Sequence, residues 1–223
     1  MTLWILTILV LLFALAALFL LREPPKDSGV AFHGHLPGKA LIVVFSDSPA
    51  KNTRRVALWI HEATGAPILP LEVKEAYPGG YLRTVARARR ELKGGIRPEL
   101  TAESHADLAE YPVIFLGSPV WWGQGAPAVE RFLEENDFLA GKTVIPFATH
   151  GGGGEARTFA HWKELCPNAH FLEGLSLRGT NSLERLAGRT IADRLPSHCI
   201  EAWLNGLFPE EKKSPDAPQD PLP

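Results

Sequence analysis

Residues 40–45, Ala-Leu-Ile-Val-Val-Phe, are apolar at every position, and a strand of that kind is buried on both faces. A sheet with one wet face would alternate with polar residues instead. The run therefore confines the chain to layered α/β architectures, in which helices cover both sides of a sheet. The sequence that follows keeps the same rhythm. Helical periodicity is predicted over residues 53–64, 81–93, 127–135, 156–165 and 198–207, and short strands over 68–73, 113–117, 143–148 and 171–175. Such alternation means a parallel sheet with right-handed crossovers. In open sheets of this class ligands bind beyond the carboxyl ends of the strands, so chemistry is expected after the first, third and fourth strands.

Residues 4–21 form a second constraint, an apolar run interrupted only by Thr7 and free of charge, Gly and Pro. As a helix it rises roughly 27 Å, close to the ~30 Å hydrocarbon core of a bilayer. A cleaved signal peptide would carry a basic leading region, whereas only Met1, Thr2 and Leu3 precede this run and the first basic side chain is Arg22. Residues 1–21 are read as a single-pass transmembrane anchor. Arg22, Lys26 and Lys39 all follow it, which places the C-terminal domain in the cytoplasm. Residues 22–38, with Pro24, Pro25, Gly34, Pro37 and Gly38, read as a semi-extended tether, and residues 209–223, with five prolines, as a disordered tail. Between them, residues 39–208 have the size of one domain. The formal net charge of −2 offers no global attraction to nucleic acid. Two distant cysteines, Cys166 and Cys199, suggest neither a disulfide framework nor a zinc cage, so a reducing compartment fits and no metal site is expected.

The three segments after the strands are unusual in their residues. Ser46-Asp47-Ser48-Pro49-Ala50-Lys51-Asn52-Thr53 is a hydroxyl-rich turn that runs directly into a helix. A helix N-terminus with such donors is an anion site, and the dipole adds about half a positive charge; the plain alternative is an N-cap by Ser48 or Asn52. Gly117-Ser118-Pro119-Val120-Trp121-Trp122-Gly123-Gln124 sets two tryptophans side by side in a Gly/Pro-rich loop. Both cannot be ordinary core, so one is expected to offer a flat face to a ligand, unless the pair is an aromatic clamp that packs the loop down. Thr149-His150-Gly151-Gly152-Gly153-Gly154 exposes backbone N–H groups and admits a planar ligand, unless it is only a flexible loop.

Together these segments resemble the flavodoxin family, in particular its bacterial branch with paired tryptophans. The motifs that carry the resemblance are Phe45-Ser46-x-Ser48, Asn52-Thr53-Arg54, the run Tyr111-Pro112-Val113-Ile114-Phe115-Leu116-Gly117, Pro119-Val120-Trp121-Trp122-Gly123 and Thr149-His150-Gly151-Gly152. Further similarity lies at Glu75-Ala76-Tyr77-Pro78, Arg97-Pro98-Glu99-Leu100, Cys166-Pro167 and Leu172-Glu173-Gly174, so it spans nearly all of residues 39–179 in order. The resemblance implies an α/β fold with a flavodoxin-like five-stranded parallel sheet in the order 2-1-3-4-5, helices on both faces, and a non-covalent FMN site. Placed by position, Ser46, Ser48, Asn52 and Thr53 would cradle the FMN phosphate. Pro119, Val120, Trp121, Trp122 and Gly123 would flank the isoalloxazine, and Thr149, His150, Gly151 and Gly152 would meet its pyrimidine side. No catalytic side chain is implied, because the redox chemistry belongs to the flavin.

This sequence departs from the family pattern in three places. Pro49 and Ala50 are extra, and Lys51 stands where a tight-turn Gly belongs. Lysine adopts positive φ only at a cost, so the phosphate loop is expected to be remodelled, with the ammonium available as a point cation. The family's soluble electron shuttles are usually acidic, whereas this chain holds Arg83, Arg87, Arg89, Arg90, Lys93 and Arg97 with only Glu91 among them. On a helix Arg83, Arg87 and Arg90 share one face, read as a solvated surface or as one that meets anionic lipid or a pyridine-nucleotide phosphate. Residues 181–197 are longer than the family's usual link. The expected function is a membrane-anchored FMN protein that passes electrons between a redox donor and an acceptor, protein or small molecule. Two rivals are an NAD(P)H-dependent quinone or flavin reductase and an FMN-free, membrane-tethered interaction module.

Overall fold

The computed structural model describes residues 31–210, apart from 49, 79–80, 105–106, 136–138, 181–183, 185–188, 194 and 196–197. The expected membrane helix, most of the tether and nearly all of the tail lie outside the described residues. Among the described residues, no helix is long and apolar enough to cross a membrane.

The apolar run forms β1 (Ala40–Val44), buried at every position. β2 (Ile68–Pro70) and β3 (Val113–Trp121) flank it, both parallel to it. β4 (Gln124–Gly125) folds back antiparallel on the end of β3, while β5 (Thr143–His150) runs parallel to β3 on its far side. β6 (His170–Phe171) and β7 (Leu175–Arg178) both pair in parallel with β5. Helix α1 (Asn52–Thr64) buries Val56, Ala57 and Ile60 against one face of the sheet, where Ile200 and Leu204 of α5 (His198–Leu207) join it. It stops at Gly65, whose φ of 71° lets its N–H close on the His61 carbonyl. The other face is covered by α3 (Pro127–Glu134) through Val129 and Phe132 and by α4 (Thr158–Leu165) through Trp162, with α2 (Tyr81–Gly94) beside them.

The expectation of five strands in the order 2-1-3-4-5 needs correction. Among the described residues the sheet has seven strands, in the order β2-β1-β3-β5-β6, with β4 paired to β3 and β7 to β5 off that path. Two prolines explain the difference. In a parallel strand the polar groups of alternate residues point to opposite neighbours. Phe45 donates its N–H to the Gly117 carbonyl, so Gly117 and Pro119 both face β1, whose pairing has already ended at Val44. The N–H that Pro119 lacks would have pointed at no strand, and β3 continues through the Gly-Ser-Pro segment that reads as a stop. Pro146 works in the opposite sense. Leu172 donates to the Val144 carbonyl, so Pro146 faces the same side two residues on and offers no donor there. Gly174 passes over that gap, where an added Cβ would sit 2.8 Å from the Pro146 oxygen, and the expected single strand over residues 171–175 is split into β6 and β7.

The described end of the tether is docked. Phe32 and Leu36 pack on the α1–α5 side of the core, and Asn205 of α5 donates to the Ala31 carbonyl (2.9 Å) and accepts the His33 N–H (3.0 Å). The basic stretch also divides differently from its helical periodicity. Arg87 turns inward, donating to Glu91 (2.7 Å) and to the carbonyls of Glu75 and Ala76 (3.0 Å each), with its guanidinium 4.4 Å above the Tyr77 ring. Arg97 is likewise held inside by Glu130 (2.6 Å) and Glu134 (2.9 Å). Arg83, Arg89, Arg90 and Lys93 remain exposed.

Candidate functional site

β1 stops at Val44, whereas β3 and β5 run on side by side as far as the pair Pro119 and Thr149. The overhang leaves a step at the carboxyl edge of the sheet. It is also the place where the winding reverses, since the chain leaves β1 for β2 on one side and then crosses to β3 on the other. The loops that follow β1, β3 and β5 converge there.

The first loop ends on Lys51, which takes the left-handed conformation (φ 47°, ψ 33°) and opens α1. Lysine itself adopts the left-handed turn expected to favour glycine, at a cost of about 1–2 kcal/mol. Three interactions hold it. Its N–H bonds to the Ser48 carbonyl (2.9 Å), its carbonyl accepts the first helical bond from Arg55 (3.0 Å), and its ammonium donates to the Ser46 carbonyl (2.9 Å) with the Asp47 carboxylate 3.6 Å away. The ammonium is engaged within the loop. Ser46 Oγ, rather than Ser48 or Asn52, satisfies the helix end by accepting the Arg54 N–H at 3.2 Å. The N–H groups of Asn52 and Thr53 precede the first intrahelical bond and so point out of the helix end.

Thr53 is buried and its hydroxyl lies 2.8 Å from that of Thr149, the buried residue at the tip of β5. Asn52 is held by the Thr180 hydroxyl (3.2 Å), just beyond β7, and a Cβ on Gly179 would come within 2.4 Å of the Asn52 amide nitrogen. Gly179 and Thr180 thus belong to the site although the sequence reading passed over them. They follow a strand end, as the other site segments do, and that was the available signal.

The second loop is the hairpin between β3 and β4. Trp122 (φ 54°) and Gly123 (φ 79°) form its two-residue turn, both left-handed as a type I′ turn requires. The paired indoles diverge. Trp121 stands edge-on to Phe45 (centroids 5.7 Å) and Tyr77 (5.1 Å), half-buried in an aromatic cluster at the tip of β1. Tyr77 is itself fixed by donating its O–H to Glu91 at 2.5 Å, and burial together with that carboxylate pushes its phenol far above the usual range. Trp122 leans out over α2, donating its indole N–H to the Val85 carbonyl (3.1 Å), with the Arg89 guanidinium 4.8 Å above its ring. Pro119 is buried and Val120 half-buried, paired with Gly125.

In the third loop, His150 Nδ1 accepts the N–H groups of Gly152 (3.0 Å) and Gly154 (3.1 Å), so the glycine run is clamped rather than loose. Burial, reinforced by the Arg178 charge and opposed by Glu155, holds the imidazole below the ordinary histidine range. The outer side of the loop is open: a Cβ on Gly151, Gly152 or Gly153 would meet no atom within 4 Å. Arg157 closes the circuit by donating its N–H to the Gly123 carbonyl at 3.1 Å. The three loops are thus tied pairwise, first to third by the threonine hydroxyls, third to second by Arg157, and second to first by Trp121 on Phe45. Among the described residues, the three non-glycine residues with positive φ are Lys51, Trp122 and Ala156, one in each loop. Backbone strain of this kind persists where the surroundings over-determine it, and it clusters at functional sites. A cavity of about 470 Å³ extends from the first loop to the β2 side of the step, lined by Phe45, Ser46, Lys51 and Arg54 at one end and by Leu71 and Glu72 at the other.

The family model described as flavodoxin matches residues 39–190. This chain belongs to the flavodoxin family. Among solved structures, this flavodoxin-family chain is similar to a candidate flavoprotein from Bacteroides eggerthii, with 26% identity over 75% of this chain and 96% of that one and a TM-score of 0.61. A candidate flavoprotein from Bacteroides uniformis matches equally well, with 26% identity, 75% and 98% coverage and a TM-score of 0.61. A Lactobacillus acidophilus flavoprotein in complex with FMN shares the fold at 24% identity, covering 63% of this chain and 93% of its own, with a TM-score of 0.55. No curated protein matches the sequence.

Two outcomes follow from the loop geometry. Lys51→Gly relieves the left-handed strain and is expected to stabilise the fold by about 1 kcal/mol in chemical denaturation; a loss of stability would mean that the lysine contacts outweigh the strain. For His150, the lowered folded-state pKa means a stability contribution that is present above the ordinary value of about 6.5 and is lost as pH falls through the lower folded value. The amide resonances of Gly152 and Gly154 should titrate together with a midpoint below 6.5. A midpoint at or above that value contradicts the clamp.

Proposed function

We propose that this chain binds FMN at the step between β1 and β3 and carries electrons at a membrane. Membership of the flavodoxin family supports a flavoprotein role, and one observation carries the finer reading: three strained loops, locked pairwise, surround a step onto which the open end of α1 and the open side of the glycine run both face. The outward N–H groups of Asn52 and Thr53 and the dipole of α1 suit a phosphate dianion. The open face of Gly151–Gly153 suits the close approach of a planar ring, and Trp121, braced by Phe45 and Tyr77, offers it an aromatic wall. Trp122 faces away from that wall. Bound FMN would supply the redox chemistry. The chain would contribute grip, orientation and the exclusion of water.

In this assignment Ser46 and Lys51 shape the phosphate turn, and Thr53 and Thr149 fix the spacing between the turn and the glycine loop. His150 keeps the glycine amides in register. For the membrane, residues 4–21 supply an uncharged apolar stretch long enough to span, and the lysine and arginine positions after it favour a cytoplasmic domain. Docking of residues 31–36 on α5 shortens the free tether, which would hold the domain close to the bilayer.

The test is direct. The full chain purified in non-ionic detergent is expected to show a flavin band in its visible spectrum, or to gain one on titration with FMN at micromolar concentration. Trp121→Ala should weaken FMN binding by about 1 kcal/mol or more, roughly fivefold in Kd. A colourless protein that ignores micromolar FMN would instead favour the interaction module. Oxidation of NADPH with added quinone by the FMN-loaded chain would assign the reductase.

A further inference from the structure

Trp122 sits on the hairpin that rims the proposed FMN site, yet its indole forms part of an outer groove with Leu82, Val85, Ala86, Arg89 and Lys93. Among the described residues the exposed large hydrophobics are Leu82 (79% exposed), Ile96 and Trp122 (53%), and two of these three lie in this groove. The charge around it has one sign. Arg83, Arg89, Arg90 and Lys93 are exposed, and among the described residues none of them has a carboxylate within ion-pair distance. The single acidic residue of α2, Glu91, is buried and held by Arg87 and Tyr77. An apolar centre with a cationic rim is thus concentrated on one helix of a chain whose formal net charge is −2.

We propose that this groove is the docking surface for an acidic electron-transfer protein. The inference rests on the FMN reading above and adds the kind of partner that reading requires. Charge complementarity supplies the first argument, since Arg89, Arg90 and Lys93 line the groove and steer and hold a carboxylate-rich surface. Rigidity supplies the second. The Trp122 N–H is satisfied by the Val85 carbonyl and its ring is covered by Arg89, so the indole is a fixed contact surface rather than a side chain free to sink into lipid. Preformed Trp and Arg surfaces of this kind are what protein partners use as anchors. Continuity supplies the third, because the Trp122–Gly123 turn is bound to the glycine loop through Arg157, and a partner seated on the groove touches the rim of the crevice. With FMN held in the crevice, a partner seated here would give up one electron from its reduced iron–sulfur centre to the flavin at each encounter, and two encounters with protons from solvent would complete the reduction.

The probe is a plant-type [2Fe–2S] ferredoxin, an acidic one-electron carrier, presented to the full FMN-loaded chain in non-ionic detergent. Association is expected to slow about tenfold between ~20 mM and ~300 mM salt. The double variant Arg90→Glu/Lys93→Glu should slow it at least tenfold at low salt, and Leu82→Ala should shorten the lifetime of the complex. FMN affinity and circular dichroism, measured on the same samples, should match the parent. Unchanged ferredoxin binding by the double variant, or stronger binding of basic cytochrome c than of ferredoxin, overturns the proposal. So does capture of phosphatidylserine vesicles that depends on Arg90 and Lys93 in the absence of any ferredoxin complex. A chain that fails to bind FMN yet forms the salt-sensitive complex, lost in the double variant, overturns the FMN reading and leaves the docking surface standing.

Discussion

The structure depends on the parallel pairing of β3 with β5 beyond the point where β1 has ended. Seven residue pairs join the two strands, from Val113 with Thr143 to Pro119 with Thr149, whereas the pairing of β1 with β3 ends at Val44 and Gly117. Two strand tips therefore stand proud of a third. Every other feature of the site is arranged on that step: the β1 loop lies low and turns into α1, the β3 hairpin and the glycine loop rise beside it, and a threonine hydroxyl pair, a backbone hydrogen bond and the Trp121–Phe45 contact lock the three together. A proline at position 119 is compatible with the overhang because the donor it lacks would have pointed into the space that β1 vacates.

The step also explains what was legible in the sequence and what was not. The buried run at residues 40–45 and the strand–helix rhythm identify the layered fold, and the hydroxyl, tryptophan and glycine segments fall at strand ends where the topology brings them together. Local signals failed where tertiary pairing overrode them. Gly117-Ser118-Pro119 reads as a loop, yet β3 runs through it, and Pro146 sits inside an apolar run that gives no hint of the break it imposes on the neighbouring strand. Lys51 is unfavourable for a left-handed turn by propensity alone, and only the contacts made by its N–H, carbonyl and ammonium show how the turn survives. Adjacent tryptophans cannot be assigned different tasks from sequence, because Trp121 ends β3 whereas Trp122 is the first residue of the type I′ turn that follows it.

The charges sort by burial rather than by helical face. Arg87 and Arg97 are structural, each satisfied by carboxylates or carbonyls beneath α2 or across to α3, and they hold Tyr77 and the neighbouring helices in place. Removing those two from the surface leaves the outward cations gathered around Trp122. The same helix thus braces the aromatic wall from inside through the Glu91–Tyr77 bond and offers a partner surface outside. The two are linked mechanically, since both contacts converge on the hairpin that carries Trp121 and Trp122.

On the FMN reading, a planar, phosphate-bearing ligand occupies the step enclosed by the three loops. Amide chemical-shift mapping during FMN titration tests it most directly. The largest shifts should fall on Asn52, Thr53, Gly123 and Gly151–Gly153, with the Trp121 indole moving alongside them. Shifts gathered instead around Leu71, Glu72 and Ala76, in the cavity on the β2 side, would contradict it.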